Sequence, residues 1–245
     1  MNYDIDFTGK RVLVVGGSSG IGNATAQAFR SKGAEVHVWG TRADEGEYGD
    51  GDQSDFTGLT YQQMDVSDFD AIKAYEPPFD SLDVLILCQG IVLFNRQEFE
   101  MDGFQQVIDV NLNSLMACTT KFRSMLEAAA GSIVIVSSAA AYHATIGTPA
   151  YSASKAGALG LARTLAQVLA PAGVRVNSIA PGYVPTKMTT IVTQNEGRSK
   201  AALASIPLGR FGTPEEMAGT ALFLASPLAG YVTGQTVIAD GGMIL

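Results

Sequence analysis

Short apolar runs alternate along the chain with longer stretches rich in alanine. The runs have the length and composition of β-strands and fall at 11–16, 35–39, 59–64, 82–87, 132–137, 174–180 and 236–240. Helices are predicted between them, most clearly at 20–32, 102–126, 151–169 and 214–224. This alternation is typical of repeated strand–helix units around a parallel sheet, and it predicts an α/β domain.

Two segments interrupt the alternation. Residues 42–58 are acidic and rich in glycine, so the connection after the second predicted strand is expected to be a loop rather than a helix. Residues at about 183–207 form a long mixed insertion before the last predicted helix, and insertions of this kind often act as lids over a site. No linker-like change in composition divides the chain, which predicts one domain over 1–245.

Composition and charge exclude several classes of protein. The 245 residues, 47% hydrophobic and 16% charged, suit a single large α/β domain, and a net charge of −8 argues against nucleic-acid binding. No apolar run approaches the ~18 residues of a membrane span, and the acidic start is unlike a signal peptide. Cys88 and Cys118 are too few for a disulfide framework and lack metal-ligand spacing. The expectation is a cytoplasmic protein with no metal, membrane or nucleic-acid partner.

The first strand-to-helix turn carries a glycine pattern, with Gly16, Gly20 and Gly22 in the stretch "VLVVGGSSGIG". Glycines at such a turn let a pyrophosphate approach the backbone and let the helix pack tightly on the strand. The helix N-terminus then offers free N–H groups to the phosphates. A glycine trio alone is weak evidence, but its position between a strand and a helix predicts a dinucleotide site.

A second pattern places Tyr151 and Lys155 four residues apart in a predicted helix, separated by Ser152, Ala153 and Ser154. Residues at i and i+4 share a helix face, so the hydroxyl and the amine point to one place. A lone pair of this kind is more often a tyrosine packed on a lysine stem. The rest of the chain must therefore decide between a structural and a catalytic pair.

The glycine loop, the Tyr151–Lys155 pair and Ser138, thirteen residues before Tyr151, together resemble the short-chain dehydrogenase/reductase family. The stretches "VNLNS" with Asn111, "NSIAPGYVPT" and "TGQTVIADGG" extend the resemblance over essentially the whole chain. The resemblance implies a single-domain, doubly wound Rossmann fold with a seven-stranded, mostly parallel sheet and helices on both faces. It also implies a homodimer or homotetramer.

The resemblance implies a role for each of four catalytic residues. Tyr151 would exchange a proton with the substrate oxygen, although a free tyrosine has a pKa of ~10. Lys155 would favour the phenolate as a nearby cation and would hold the nicotinamide ribose. Ser138 would orient the substrate oxygen, and Asn111 would hold a water that connects Lys155 to solvent.

The cofactor is expected to be NADP(H), with NAD(H) as the alternative. An acid ~20 residues beyond the loop would bind the 2′-hydroxyl of NAD, but the second strand ends in Gly40, Thr41 and Arg42. Thr41 and Arg42 suit a 2′-phosphate, whereas the acidic residues that follow would repel it. The predicted cofactor-binding residues are Gly16, Ser18, Ser19, Gly20, Ile21, Gly22, Thr41, Arg42, Asp65, Val66, Gly90, Asn111, Tyr151, Lys155, Pro181, Gly182, Val184 and Thr186.

The sequence departs from the family pattern at the end of the fourth strand. There the family commonly has N-N-A-G, and this chain has Leu87, Cys88, Gln89 and Gly90. Gln89 thus replaces a small residue beside the expected nicotinamide ribose. Cys88 is interpreted as a buried structural thiol.

The predicted substrate pocket is mainly apolar and has no arginine fork for a carboxylate or phosphate. Its residues are Phe94, Ser138, Ala140, His143, Ile146, Tyr151, Tyr183, Met188 and Ile191. This set predicts a small neutral ketone or secondary alcohol, as in an alcohol dehydrogenase or carbonyl reductase. A 3-oxoacyl-carrier-protein reductase is the alternative, disfavoured because the segments before the fifth and sixth strands are nearly free of positive charge. A non-catalytic nucleotide-binding scaffold is a second alternative, against which the complete set of four catalytic residues argues.

Overall fold

The computed structural model describes residues 3–245 and contains seven β-strands at the positions of the apolar runs. The strands are β1 Arg11–Val15, β2 Glu35–Gly40, β3 Thr60–Gln63, β4 Val84–Leu87, β5 Ser132–Val136, β6 Arg175–Pro181 and β7 Thr236–Ala239. They form one sheet in the order β3-β2-β1-β4-β5-β6-β7, and every neighbouring pair is parallel. The predicted doubly wound, seven-stranded α/β fold is confirmed.

Helices cover both faces of the sheet. They are α1 Gly20–Ser31, α2 Phe69–Ala74, α3 Met101–Ile108, α4 Ser114–Ala129, α5 Pro149–Leu169, α6 Thr190–Thr193, α7 Glu196–Ala204 and α8 Pro214–Ala225. Alternate residues of a strand point to opposite faces, so Leu13 of β1 packs in a core with α4 and α5. Val12 and Val14 pack in a second core with α1 and α8. The doubly wound arrangement therefore follows from strands that are apolar on both faces.

The order of the strands fixes where a ligand can bind. The chain runs from β1 outward to β3 on one side and then returns to β4 on the other side of β1. At such a switch point the two connections diverge and leave a crevice at the carboxyl ends of the strands. The glycine turn after β1 and the segment after β4 both open into this crevice.

The predicted single helix over 102–126 is wrong in its middle. α3 and α4 are separated by one π-helical turn, Asp109–Asn113, which contains the buried residue Asn111. A π turn inserts extra backbone into a helix and rotates the side chains that follow. The apolar periodicity continues through the turn, so the sequence pattern does not reveal it.

The two interrupting segments have little regular structure. Within 42–58 the chain forms only two 3-10 turns, Glu45–Glu47 and Asp50–Asp52, in agreement with the predicted loop. The insertion at about 183–207 contains a 3-10 turn at Lys187–Thr189 followed by α6 and α7. Among residues 3–245, no helix has the length and apolar character needed to cross a bilayer.

Candidate active site

A cleft of about 590 Å³ opens at the carboxyl ends of the strands. Most of the predicted site residues line it: Gly16, Ser18, Ser19, Gly20, Ile21, Gly22, Thr41, Val66, Gly90, Phe94, Ser138, Tyr151, Lys155, Pro181, Gly182, Val184, Thr186 and Met188. The predicted residues that do not line it are Arg42, Asp65, Asn111, Ala140, His143, Ile146, Tyr183 and Ile191. The glycine turn thus lies at one end of the same cleft that holds Tyr151 and Lys155 at the other.

The glycine turn has the shape that a pyrophosphate requires. Gly16 has a φ of +74°, and a Cβ there would lie 2.8 Å from the backbone nitrogen of Gln89. A Cβ on Gly22 would lie 2.0 Å from the carbonyl oxygen of Gly16. Ser19, the N-cap of α1, makes no side-chain hydrogen bond to the helix, so the first N–H groups of α1 are left without a side-chain cap. These residues fit a dinucleotide, whose phosphates the helix N-terminus would bind.

Lys155 lies inside the protein rather than on the surface of α5. Its ammonium donates a hydrogen bond of 2.9 Å to the carbonyl oxygen of Val136, at the end of β5, and its side chain is almost fully buried. The nitrogen lies 5.7 Å from the centre of the Tyr151 ring. Burial lowers the pKa of Lys155 to about 8, because the charged form loses its hydration.

The Tyr151 phenol shares the cleft with the Ser138 hydroxyl. Burial raises the pKa of Tyr151, and a hydrogen bond with the Ser138 side chain opposes that increase. Ser138 follows β5, and its Oγ accepts a hydrogen bond of 3.1 Å from the backbone N–H of Ala140. The serine is therefore held at the start of the 3-10 turn Ala139–Ala141, with its hydroxyl toward the tyrosine.

Asn111 joins the segment after β4 to α5, the helix of Tyr151 and Lys155. Its Oδ1 accepts a hydrogen bond of 2.8 Å from the N–H of Ile91, and its Nδ2 donates to the Ile91 carbonyl at 2.9 Å. Nδ2 also donates to Ser154 Oγ at 3.1 Å, and that hydroxyl donates to the Tyr151 carbonyl. Asn111 is fully buried, so its role as a water ligand stays a prediction.

The carboxyl ends of β2 and β3 form the part of the cleft that would hold the adenosine of a dinucleotide, and this part, together with the glycine turn, is called the adenine end. Arg42 does not line it. Its guanidinium donates to both carboxylate oxygens of Asp52, at 2.8 and 2.9 Å, and lies 4.3 Å from the centre of the Tyr48 ring. The ammonium of Lys187 lies 3.1 Å from the same carboxylate. Arg42, followed by Lys187, holds the pKa of Asp52 at about 2. The acidic segment thus folds back on the arginine, while Thr41 remains at the cleft.

After β4, where the sequence departs from the family pattern, the structure explains the presence of Gln89. Its side chain is buried and donates a hydrogen bond of 2.9 Å to Ser114 Oγ at the start of α4, while its Oε1 has no partner. Burial raises the pKa of the Cys88 thiol to about 11, so the thiol stays protonated near neutrality. Both residues line the cleft without adding a charged group to it, and Cys88 is partly exposed there, so its interpretation as a buried thiol is wrong.

Sequence reasoning missed several residues of the site. Trp39, Gly40 and Met64 line the adenine end, and the first two are the last residues of β2. Their positions at the carboxyl ends of β2 and β3 are the signal that could have identified them. Glu98 was also missed: it is 1% exposed and accepts a hydrogen bond from the Tyr151 N–H, and nothing in its sequence surroundings indicates burial.

Comparison with known proteins agrees with this geometry. A family model described as enoyl-(acyl carrier protein) reductase matches residues 15–244. The 3-oxoacyl-[acyl-carrier-protein] reductase FabG of Chlamydia pneumoniae is 38% identical over 250 residues, covering 98% of this chain and 99% of that protein. The chain belongs to the short-chain dehydrogenase/reductase family.

Other members of the short-chain dehydrogenase/reductase family show the range of the similarity. The 2-dehydro-3-deoxy-D-gluconate 5-dehydrogenase of Bacillus subtilis is 35% identical, covering 96% of this chain and 95% of that protein. The solved Pseudomonas aeruginosa RhlG/NADP active-site complex is 30% identical, with a TM-score of 0.89 and full coverage of both chains. The names of these relatives refer to different substrates, so membership of the family does not fix the substrate of this chain.

Proposed function

We propose that this protein is an NADP(H)-dependent oxidoreductase that interconverts a mainly apolar ketone and its secondary alcohol. The observation that carries the proposal is that one continuous cleft has Ser138, Tyr151 and Lys155 at one end and the glycine turn at the other. The residues that would hold the cofactor are the glycine turn, Thr41, Val66, Gly90 and the stretch 181–186. When bound, the nicotinamide supplies a hydride to the substrate carbon or accepts one from it.

The protein's own groups handle the proton and the orientation of the substrate. In the reductive direction Tyr151 donates its phenolic proton to the carbonyl oxygen, which Ser138 orients by a hydrogen bond. Lys155 lies 5.7 Å from the tyrosine ring, and its charged form stabilises the resulting phenolate. Asn111 and Ser154 fix the first turns of α5, so the phenol has a defined position.

The preference for NADP(H) over NAD(H) is supported from two sides. The end of β2 carries Thr41 at the cleft and no acid that would bind a 2′-hydroxyl. The solved RhlG/NADP complex supports the same cofactor by family likeness. Arg42 serves a 2′-phosphate only if it leaves Asp52.

The cleft walls favour an apolar substrate. Near the catalytic residues they include Ile91, Val92, Phe94, Val110 and Met188. Among the described lining residues, the cations are Lys155, which is buried, and Lys187, which is paired with Asp52. A carboxylate or phosphate on the substrate would thus lack a free cationic partner, which disfavours a sugar acid.

Reduction of a 3-oxoacyl group carried on a protein is the second candidate. It is favoured by the name of the relative from Chlamydia pneumoniae, which matches over nearly the full length of both chains. The apolar walls suit an acyl chain as well as a free ketone. The net charge of −8 opposes docking of an acidic carrier.

The test is steady-state turnover with NADPH and NADH in parallel, on ketones, a 3-oxoacyl pantetheine thioester and the same acyl group on its carrier. We expect Tyr151→Phe to lower kcat by roughly 10²–10⁴-fold, the usual contribution of general acid–base catalysis. Tyr142→Phe, at a half-exposed tyrosine, is the matched control. Turnover that survives in Tyr151→Phe would contradict the proposal, and turnover only on the carrier-bound group would favour the second candidate.

We also propose that the chain assembles as a homodimer or homotetramer. Exposed apolar side chains on two neighbouring helices support this, since Met116 of α4 is 47% exposed and Val168 of α5 is 51% exposed. Light scattering of the purified protein measures the mass directly. A mass of one chain, 25.7 kDa, would contradict the assembly.

A further inference from the structure

The segment that follows β4 carries a carboxylate that is shielded from solvent. Glu98 lies in the 3-10 turn Gln97–Phe99 and is 1% exposed. Just before the turn, Asn95 and Arg96 have φ values of 55° and 63°. This left-handed region costs a residue with a side chain about 1 kcal/mol or more. The fold therefore accepts local strain in the turn that carries this acid.

Both oxygens of the Glu98 carboxylate accept hydrogen bonds from the backbone. Oε1 accepts from the N–H of Leu93 at 3.0 Å, and Oε2 accepts from the N–H of Tyr151 at 2.9 Å. Thr148, the N-cap of α5, makes no side-chain hydrogen bond to the helix, so Glu98 satisfies an N–H that the cap leaves free. The positive end of the helix dipole further stabilises the carboxylate.

We propose that Glu98 is a positioning residue for Tyr151: it fixes the catalytic turn of α5 to the substrate-facing segment 91–94 and sets a negative charge at the helix turn that carries the phenol. Segment 91–94 includes Ile91, Val92 and Phe94, which line the cleft. One side chain thus joins the wall that contacts the substrate to the residue that exchanges the proton. The inference rests on the proposed role of Tyr151.

Several charged and titratable groups surround Tyr151 and together set the pKa of its phenol. They are Cys88 at the end of β4, Glu98 in the 3-10 turn and Lys155 on α5, with the neutral hydroxyl of Ser138. Within residues 3–245, no lysine, arginine or histidine forms an ion pair with Glu98. Burial is the first cause of the raised pKa of Tyr151, and the charge of the Glu98 carboxylate adds to it. Glu98 thus favours the protonated phenol in the free protein, and the charged form of Lys155 favours ionisation.

The experiment is an NMR titration of the free protein labelled with ¹³C at the tyrosine Cζ, with Tyr151→Phe used to assign the Tyr151 signal. We expect Glu98→Gln to lower the midpoint of that signal by about one pH unit, the effect of removing one charge at an effective dielectric constant near 20. The pH profile of kcat should move in the same direction. Glu100→Gln, at an exposed acid two residues away whose side chain makes no capping hydrogen bond to α3, should change neither.

A second variant distinguishes the effect of the Glu98 charge from the effect of its hydrogen bonds. It also keeps the inference testable if Glu98→Gln does not fold. Glu98→Asp keeps the charge but is one methylene shorter, so it cannot hold both N–H groups. We expect it to keep the Tyr151 midpoint and to speed hydrogen exchange at the Leu93 and Tyr151 amides at least tenfold. An unchanged midpoint in Glu98→Gln, or unchanged exchange in Glu98→Asp, would overturn the inference. A failure of the proposed function would instead appear as turnover that survives in Tyr151→Phe. The titration of the Tyr151 signal does not depend on turnover, so the two failures can be distinguished.

Discussion

The two ends of the cleft hold their charged groups in opposite ways. At the catalytic end, Lys155 and Glu98 are buried, and backbone groups supply their hydrogen bonds. At the adenine end, the side chain of Asp52 binds both Arg42 and Lys187; Arg42 also donates to the carbonyl oxygen of Glu47, whereas Lys187 is 67% exposed. Backbone partners fix a geometry because they cannot rotate away, whereas an exposed pair can exchange partners at little cost. The catalytic end is therefore preorganised, and the adenine end is adjustable at its exposed Lys187–Asp52 pair.

The adenine end also contains a rigid part, the glycine turn, and this part should be the most sensitive to substitution. Gly22→Ala places a Cβ 2.0 Å from a backbone oxygen that cannot move without opening the turn. We expect a loss of about 2 kcal/mol of stability and a rise in the dissociation constant of NADPH of roughly tenfold or more. Thermal unfolding and quenching of Trp39, the single tryptophan and a cleft residue, measure the two effects.

Gly219→Ala is the matched control for this substitution. Gly219 lies inside α8, and a Cβ there meets no atom within 4 Å. Alanine is the better helix former, so this variant should gain stability of about 0.5–1 kcal/mol and bind cofactor normally. Equal cofactor affinity in Gly22→Ala and Gly219→Ala would show that the turn does not contact the cofactor.

The buried ammonium provides the next test, because it makes stability depend on pH. The pKa of Lys155 is about 8 in the folded protein, below its ordinary value of 10.5. The unfolded chain thus binds more protons between these values, and stability rises as pH increases through this window. Relative to Lys155→Met, we expect the wild type to gain about 2 kcal/mol between pH 7 and 9.5.

Urea unfolding of the free proteins at several pH values measures this difference. Lys200→Met, at an exposed lysine of α7, removes the same charge without removing a buried one and should show no such slope. The comparison with Lys155→Met also cancels the contribution of the Cys88 and Cys118 thiols to stability. Burial raises the pKa of both thiols, so they lower the stability of the folded protein as the pH rises above 9. A flat difference between wild type and Lys155→Met would place the ammonium in contact with water.

Sequence reasoning reached the rigid features of the molecule more readily than the adjustable ones. The strands follow from their apolar runs, and the Tyr151–Lys155 pair follows from helical spacing. The π turn at Asp109–Asn113 was missed because apolar periodicity alone does not distinguish it from an α-helix. The Arg42–Asp52 pair depends on how an irregular loop folds back over ten residues. Glu98 depends on two left-handed residues that are not glycines.

The smallest expected effect concerns the ion pairs of Asp52 with Arg42 and Lys187 at the adenine end. Asp52→Asn keeps the shape of the side chain and removes the carboxylate that neutralises Arg42 and Lys187. Two cations would then face the 2′-phosphate without competition, so NADPH should bind about fivefold more tightly, a gain of about 1 kcal/mol. NADH, which lacks this phosphate, should bind as before, and Asp70→Asn controls for the change in net charge.

The salt dependence of that effect distinguishes an exchangeable pair from a fixed one. Exposed charges are largely screened beyond the Debye length, which is about 10 Å at 0.1 M salt and 3 Å at 1 M. The advantage of Asp52→Asn for NADPH should therefore shrink as salt is raised from 0.05 to 1 M, as measured by Trp39 quenching. Weaker NADPH binding by Asp52→Asn at every salt concentration would mean that Asp52 orders Arg42 for the phosphate. The adenine end would then be preorganised in the same way as the catalytic end.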